Sequence, residues 1–252
     1  MPTEEVDKLE AQAAAAGGSE KRGYVRRIFS DIAPRYDLLN RLLSFNIDRG
    51  WRRAAIAAVG WERAPQAAYL DLCAGTLDVG AVLAHTSGFA GTIIAADFAE
   101  PMLRAGRGKA PETTLMPVAA DALELPLANA SVSGALVAFG IRNVADLDAG
   151  LREVRRVLAP GARFVILEFS RPPNAIVRAG YGLYSRHILP LVGRIVSGHP
   201  TAYRYLPDSI ARFPVQDALA ARMRDAGFAN VHWRDLTFGV AALHIGENPA
   251  QA

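Results

Sequence analysis

Between residues 68 and 169 short apolar runs alternate with stretches of helical periodicity, and no other feature restricts the fold so strongly. The runs span 68–73, 92–97, 114–120, 133–139 and 163–169. Between them the pattern predicts helices from Asp78 to about His85, from Glu100 to Arg107 and over 147–158. Runs this short and this continuously apolar suit strands buried on both faces. Joined through helices, they make a parallel sheet with helices on either side, a doubly wound α/β fold. After a break at 171–213, residues 215–226 predict a helix closed by Gly227. Strands over 231–236 and 240–245, joined by Thr237-Phe238-Gly239, then predict an antiparallel hairpin at the sheet edge.

The chain ahead of the sheet is helical. Residues 1–19 are acidic, then Ala-rich, and end Gly17-Gly18-Ser19, which suits a loose tail or one marginal helix. From Tyr24 to about Asn40, Val25, Ile28, Phe29 and Ile32 recur at helical spacing despite Pro34. A second helix is expected over 49–59, with Asp48 as its N-cap. The expected organisation is a tail (1–19), an N-terminal helical lid (20–63), a core (64–170), a helical insertion (171–213) and a closing helix-and-strand segment (214–247).

Composition narrows the classes further. At 51% hydrophobic and 21% charged residues the chain is neither disordered nor a coiled coil. A single cysteine, Cys73, excludes a disulfide scaffold, and no His, Cys or carboxylate cluster has ligand spacing, so no metal is expected. The start Pro2-Thr3-Glu4-Glu5 is acidic where a signal peptide is basic, and the longest uncharged stretches, 79–96 and 125–141, are interrupted by Gly, Pro, Ser, Asn or His. A cytoplasmic protein is the expectation. Its 28 Lys/Arg and 25 Asp/Glu are unevenly placed. Residues 20–63 hold 10 basic and 5 acidic side chains, residues 171–212 hold 6 and 1, and the remainder is strongly acidic.

In a doubly wound sheet the ligand sits at the carboxyl ends of the strands. The first strand ends Asp71-Leu72-Cys73-Ala74-Gly75-Thr76-Leu77-Asp78, and Asp97 closes the second, where an acid grips ribose hydroxyls. Asp121 and Ala122 follow the third strand, placed for an adenine amino group. The loop is not G-x-G-x-x-G, and Asp78 at the helix start disfavours a pyrophosphate. A cationic sulfonium with a zwitterionic tail fits better, which favours S-adenosyl-L-methionine over NAD. The plain alternative is that Asp71, Asp78 and Asp97 are caps and strand-end carboxylates.

Further motifs sharpen this reading: Phe29-Ser30-Asp31-Ile32-Ala33-Pro34-Arg35-Tyr36-Asp37-Leu38-Leu39-Asn40, Phe139-Gly140-Ile141-Arg142-Asn143-Val144, Leu167-Glu168-Phe169-Ser170, and Tyr203-Arg204-Tyr205-Leu206. With these the chain resembles the ubiquinone/menaquinone biosynthesis C-methyltransferases from about Val25 to Gly246. The resemblance implies a seven-stranded class I methyltransferase sheet with N-terminal and inserted helical lids. It also implies methylation of a ring carbon on a prenylated quinol, a demethylmenaquinol or a ubiquinol precursor. Gly75, Thr76, Asp78, Asp97, Asp121, Ala122 and Ala138 would form the cofactor site, with Tyr36 closing over the sulfonium or packing the lid. Two positions depart from the family pattern: Leu77 where Gly is usual, which would reshape the loop, and Ala138 where a cofactor-contacting Ser is usual. Both leave open another phenolic or polyketide-like acceptor, or a non-catalytic member of a quinone-synthesis assembly.

A ring carbon is a poor nucleophile until a neighbouring hydroxyl loses its proton, so the site needs a base and a group that stabilises the phenolate. Arg142 suits stabilisation or proton relay, or else holds its loop to a carboxylate. Asn143 could orient acceptor or cofactor. His187 is the best base among the histidines by its ordinary pKa, unless it is only a helix-face residue; His244 reads as structural. The basic, aromatic insertion suits an isoprenoid mouth at an anionic membrane. A homodimer contact is the alternative, and no nucleic-acid motif supports a nucleic-acid partner.

Overall fold

The computed structural model describes residues 19–44, 46–184 and 200–250. Among them seven strands form one sheet: β1 (Ala68–Leu72), β2 (Thr92–Asp97), β3 (Leu115–Ala119), β4 (Val132–Ala138), β5 (Leu158–Phe169), β6 (Ala229–Leu236) and β7 (Ala241–Glu247). Their spatial order is β3-β2-β1-β4-β5-β7-β6. β7 runs antiparallel between β5 and β6, and every other pairing is parallel. The strand order reverses between β1 and β4, which opens the crevice where such sheets bind ligands.

One expected boundary moves. β5 starts at Leu158, not at 163, because Pro160-Gly161 lies in a bulge within the strand rather than in a turn before it. Gly161 takes φ 78° and its N–H donates to the Asn248 carbonyl at 2.7 Å. The helices between strands are α4 (Asp78–Ala84), α5 (Glu100–Gly106) and α6 (Leu147–Val157), the last capped by Asp146, whose carboxylate accepts from the Ala149 N–H. In the closing segment α9 (Gln216–Asp225) precedes Gly227, which takes φ 93°.

The N-terminal segment differs from one long helix. It forms α1 (Ser19–Ile32) and α2 (Tyr36–Ser44), separated by the 3-10 turn Ala33–Arg35, because Pro34 cannot continue the hydrogen-bond ladder. α3 (Ile47–Val59) follows, and its N-cap is Asn46 in the left-handed region; Asp48 lies inside the first turn instead of capping it. The insertion contributes α7 (Ala175–Leu183) and α8 (Pro200–Arg212).

Two cores sandwich the sheet. On one face Leu151, Val154 and Val157 of α6 and Met223 of α9 pack against Phe164 and Ile166; on the other Trp51, Ile56 and Val59 of α3 and Leu83 of α4 pack against Ile93, Leu136 and Val165. A third, smaller cluster joins Tyr24, Val25, Ile28 and Ile32 of α1 to Tyr205 of α8. Burying side chains of this kind is worth about 1.5–3 kcal/mol each, enough to hold α1 and α8 together as a roof over the strand ends.

Candidate active site

The loops after β1 and β4 make the floor of a cleft. A Cβ on Gly140 would lie 2.3 Å from the Cys73 Cβ, so this close approach requires glycine. At the end of β2 the buried Asp97 carboxylate accepts from the Gly75 N–H and the Ala99 N–H, each at 2.8 Å. Burial raises its pKa, opposed by these backbone donors. Each oxygen keeps a lone pair for a ribose hydroxyl.

The cleft encloses about 720 Å³ including its open mouth, within the range of small-molecule sites. Tyr36, Gly75, Asp97, Asp121, Ala122, Ala138 and Asn143 all line it, so seven of the expected site residues converge there. Arg22 of α1 pairs with Asp121 at 2.9 Å and closes one side. Tyr36 meets Phe29 edge-on at 5.9 Å between centroids, and both rings border the cleft. One buried and one half-buried carboxyl group, Asp97 and Asp121, beside aromatic rings suit a sulfonium nucleoside.

Thr76 and Asp78 do not line this cleft. The Thr76 hydroxyl donates to Asp37, and the Lys109 ammonium spans Asp37 and Asp78 at 2.6 Å each. These contacts tie α2 to the loop below it. Leu77 takes the left-handed conformation itself, at φ 67°, and buries its side chain. Gly106 makes room for it, since a Cβ there would lie 2.7 Å from the Leu77 Cγ.

A second cavity, about 1380 Å³ with its open mouth, meets the first at Phe29, Tyr36 and Phe139. Its wall is mainly apolar and aromatic, with Ile28, Ile32, Trp51 and Phe169 beside Tyr181, Tyr184 and Tyr205. Arg142 reaches it from the 3-10 turn Ile141–Asn143 that follows β4. One guanidinium nitrogen donates to Glu168 at 2.7 Å and to the Phe139 carbonyl, and the group lies 5.5 Å from the Phe169 centroid. The buried Nε–H has no partner among the described residues. Burial raises the Glu168 pKa, with Arg142 opposing. Arg142 thus holds its loop to a carboxylate while its side chain borders the cavity. Burial also holds the Tyr181 and Tyr205 phenols up at about 12, so both remain donors at neutral pH. The Tyr205 hydroxyl donates to Asn143 at 3.1 Å, joining α8 to the cleft.

His187 lies outside the described residues. His244 is buried, bonds the Gln216 carbonyl through Nε2 at 3.0 Å and has its pKa lowered by burial, in keeping with a structural role. The sequence assigns Glu168 no role, offers Tyr181 and Tyr205 only as aromatics of an isoprenoid mouth, and reads Asp48 only as a helix cap. The charge at Glu168, at the end of an otherwise apolar strand, was the available signal.

Comparison with known proteins identifies the lineage. The sequence profile of the ubiE/COQ5 methyltransferase family matches residues 17–248. The chain is 47% identical over 224 residues to a demethylmenaquinone methyltransferase of Thermus thermophilus, covering 88% of this chain and 100% of that one. It is 41% identical over 235 residues to the ubiquinone/menaquinone biosynthesis C-methyltransferase UbiE of Geobacter sulfurreducens, covering 91% and 90%. Among solved structures, an S-adenosylmethionine-dependent methyltransferase of Thermotoga maritima superposes with a TM-score of 0.61 at 19% identity, covering 88% of this chain and 98% of that one. That last likeness concerns the fold alone. A matching profile across nearly the whole chain, relatives above 40% identity and a converging cleft at the strand-order reversal lead to one conclusion: the chain belongs to the ubiE/COQ5 methyltransferase family.

Proposed function

We propose that this protein uses S-adenosylmethionine to methylate a ring carbon of a prenylated quinol. The observation that carries the reading is the meeting of two unlike cavities at Phe29, Tyr36 and Phe139: one with carboxylates for a nucleoside, the other apolar and roomy enough for an isoprenoid tail. When bound, the cofactor supplies an activated methyl carbon. The chain supplies alignment and exclusion of water. Asp97 holds the ribose, Asp121 and Ala122 border the adenine, and Tyr36 packs at the sulfonium. The Arg142 guanidinium, bordering the acceptor cavity, stabilises the acceptor oxygen as that hydroxyl gives its proton to water at the cavity mouth and becomes a phenolate.

The elements around the second cavity also favour a lipid surface. α7 has no buried residue, and Ile176 and Leu183 are 83% and 64% exposed. Phe238, 78% exposed on the β6–β7 turn, lies between the cavity-lining Thr237 and Val240. Apolar side chains beside a basic segment would let a tailed quinol enter from the bilayer. No helix among the described residues is long and apolar enough to cross a membrane. The test pairs anaerobic turnover of reduced quinols with co-sedimentation on anionic and neutral vesicles. Ring methylation and salt-sensitive binding to the anionic vesicles are expected. Binding to neither kind of vesicle would remove the membrane part.

A further inference from the structure

The mechanism above leaves one buried charge in the acceptor cavity unused. Asp48 is 8% exposed and is the one carboxylate lining that cavity among the described residues. It projects from the first turn of α3, and α3 is anchored by the Trp51 indole N–H, which donates to the Thr237 hydroxyl at 2.9 Å. One carboxylate oxygen accepts from the Ser44 hydroxyl at 2.6 Å and the other from Arg52 Nε at 3.1 Å. Arg52 is itself mostly buried and lies 5.8 Å from the Phe139 centroid. Ser44, Arg52 and Asp48 all border the cavity, so the carboxylate is fixed in orientation by its two neighbours. Among the described residues these two donors leave lone pairs unused, because a carboxylate offers about four acceptor positions and no donor.

We infer that Asp48 is a specificity-determining residue that makes the acceptor cavity select the reduced quinol over the oxidised quinone. The inference rests on the quinol reading above. A 1,4-quinol carries oxygens at opposite ends of its ring. The Arg142 guanidinium, which borders the cavity, can donate to an oxygen in either oxidation state, since both hydroxyl and carbonyl oxygens accept. Asp48 can only accept. A quinol hydroxyl donates to it, whereas a quinone carbonyl brings a second acceptor against a buried anion and displaces whatever water satisfied it. Selection of this kind serves the chemistry, because only the reduced ring is electron-rich enough at carbon to take a methyl group.

The experiment measures binding, so it does not depend on turnover. Wild-type protein saturated with S-adenosylhomocysteine is titrated anaerobically with a short-chain 1,4-naphthoquinone and, separately, with its dithionite-reduced quinol. Trp51 in the cavity wall supplies the fluorescence signal, and calorimetry checks it. The wild type is expected to bind the quinol about ten-fold or more tighter than the quinone, the scale of one unsatisfied buried acceptor. Asp48→Asn, whose amide can donate to a carbonyl, should bring the ratio to about one or reverse it, with S-adenosylhomocysteine affinity unchanged. If Asp48→Asn fails to bind that nucleoside, Asp48→Ser reads the same ratio. An unchanged ratio in the folded variant, or a wild type that binds both forms equally, overturns the inference while leaving the quinol reading intact. A wild type that binds neither form overturns the acceptor reading and this inference with it.

Discussion

Leu77 occupies a backbone conformation that ordinarily disfavours a branched aliphatic side chain, and the consequence of replacing it can be worked through. Its φ of 67° and ψ of 15° put it in the left-handed region, at a cost of about 1–2 kcal/mol for a residue with a Cβ. Its side chain is 2% exposed and packs in the core beneath α4 and α5, where truncating a leucine costs about 2–5 kcal/mol. Leu77→Gly relieves the first term and forfeits the second, so the loss wins. We expect a net destabilisation of about 2 kcal/mol at mid-range and at most about 4 kcal/mol, and a fall in melting temperature of roughly 2–4 °C for each kcal/mol in a chain of this size. Leu77→Ala keeps the Cβ strain and loses the packing, so it should be less stable than Leu77→Gly by about 1 kcal/mol. That order is the reverse of the one found at ordinary helical positions. Urea unfolding of the three proteins reads both differences. Affinity for S-adenosylhomocysteine should hold, because Leu77 does not line the cleft. A glycine variant more stable than the wild type, or less stable than the alanine variant, would refute the assignment of strain and packing.

Other expectations concern buried charge. Removing Arg142 alone strands the buried Glu168 carboxylate, so Arg142→Ala should cost about 3–5 kcal/mol, while Arg142→Met with Glu168→Met costs less than that single change. Denaturation of the two variants beside the wild type shows the order, and the double variant should keep nucleoside binding while losing most turnover. Asp71 lies wholly inside the sheet core, where burial pushes its pKa up to about 7 and the Gly80 N–H only partly opposes. With the folded pKa above the ordinary 3.8, the folded state holds the proton more tightly, so stability present at low pH is lost as pH rises towards 7. Asp71→Asn should therefore gain on the wild type steadily between about pH 4 and 7, as measured by denaturant midpoints across that range; a constant difference would contradict it.

The sheet was legible because each strand carries its own signal: β1, β2 and β4 are short apolar runs, and such runs have few alternatives. The N-terminal helices were half legible. Val25, Ile28 and Ile32 marked α1, but the pattern passed through Pro34, where the chain breaks into a 3-10 turn. Asp97 and Gly75 could be placed at the cleft because both follow from position at strand ends. Glu168, Tyr205 and Asp48 could not, since each depends on a partner far away in sequence or on facing a cavity that only the packed lids create: Tyr205 meets Asn143 across 62 positions. Asp48 shows the limit well. An acid just before an amphipathic run reads as a cap, and only the packed structure turns it towards Ser44, Arg52 and the acceptor cavity.

The central claim is methyl transfer to a ring carbon of a reduced quinol. The direct measurement is anaerobic incubation of the protein with S-adenosylmethionine carrying a carbon-13 methyl group and a short-chain quinol, followed by mass spectrometry and carbon NMR of the product. A labelled methyl on a ring carbon, formed only from the reduced ring, is the predicted result. Label on oxygen, or no product from a protein that still binds S-adenosylhomocysteine, would contradict the account.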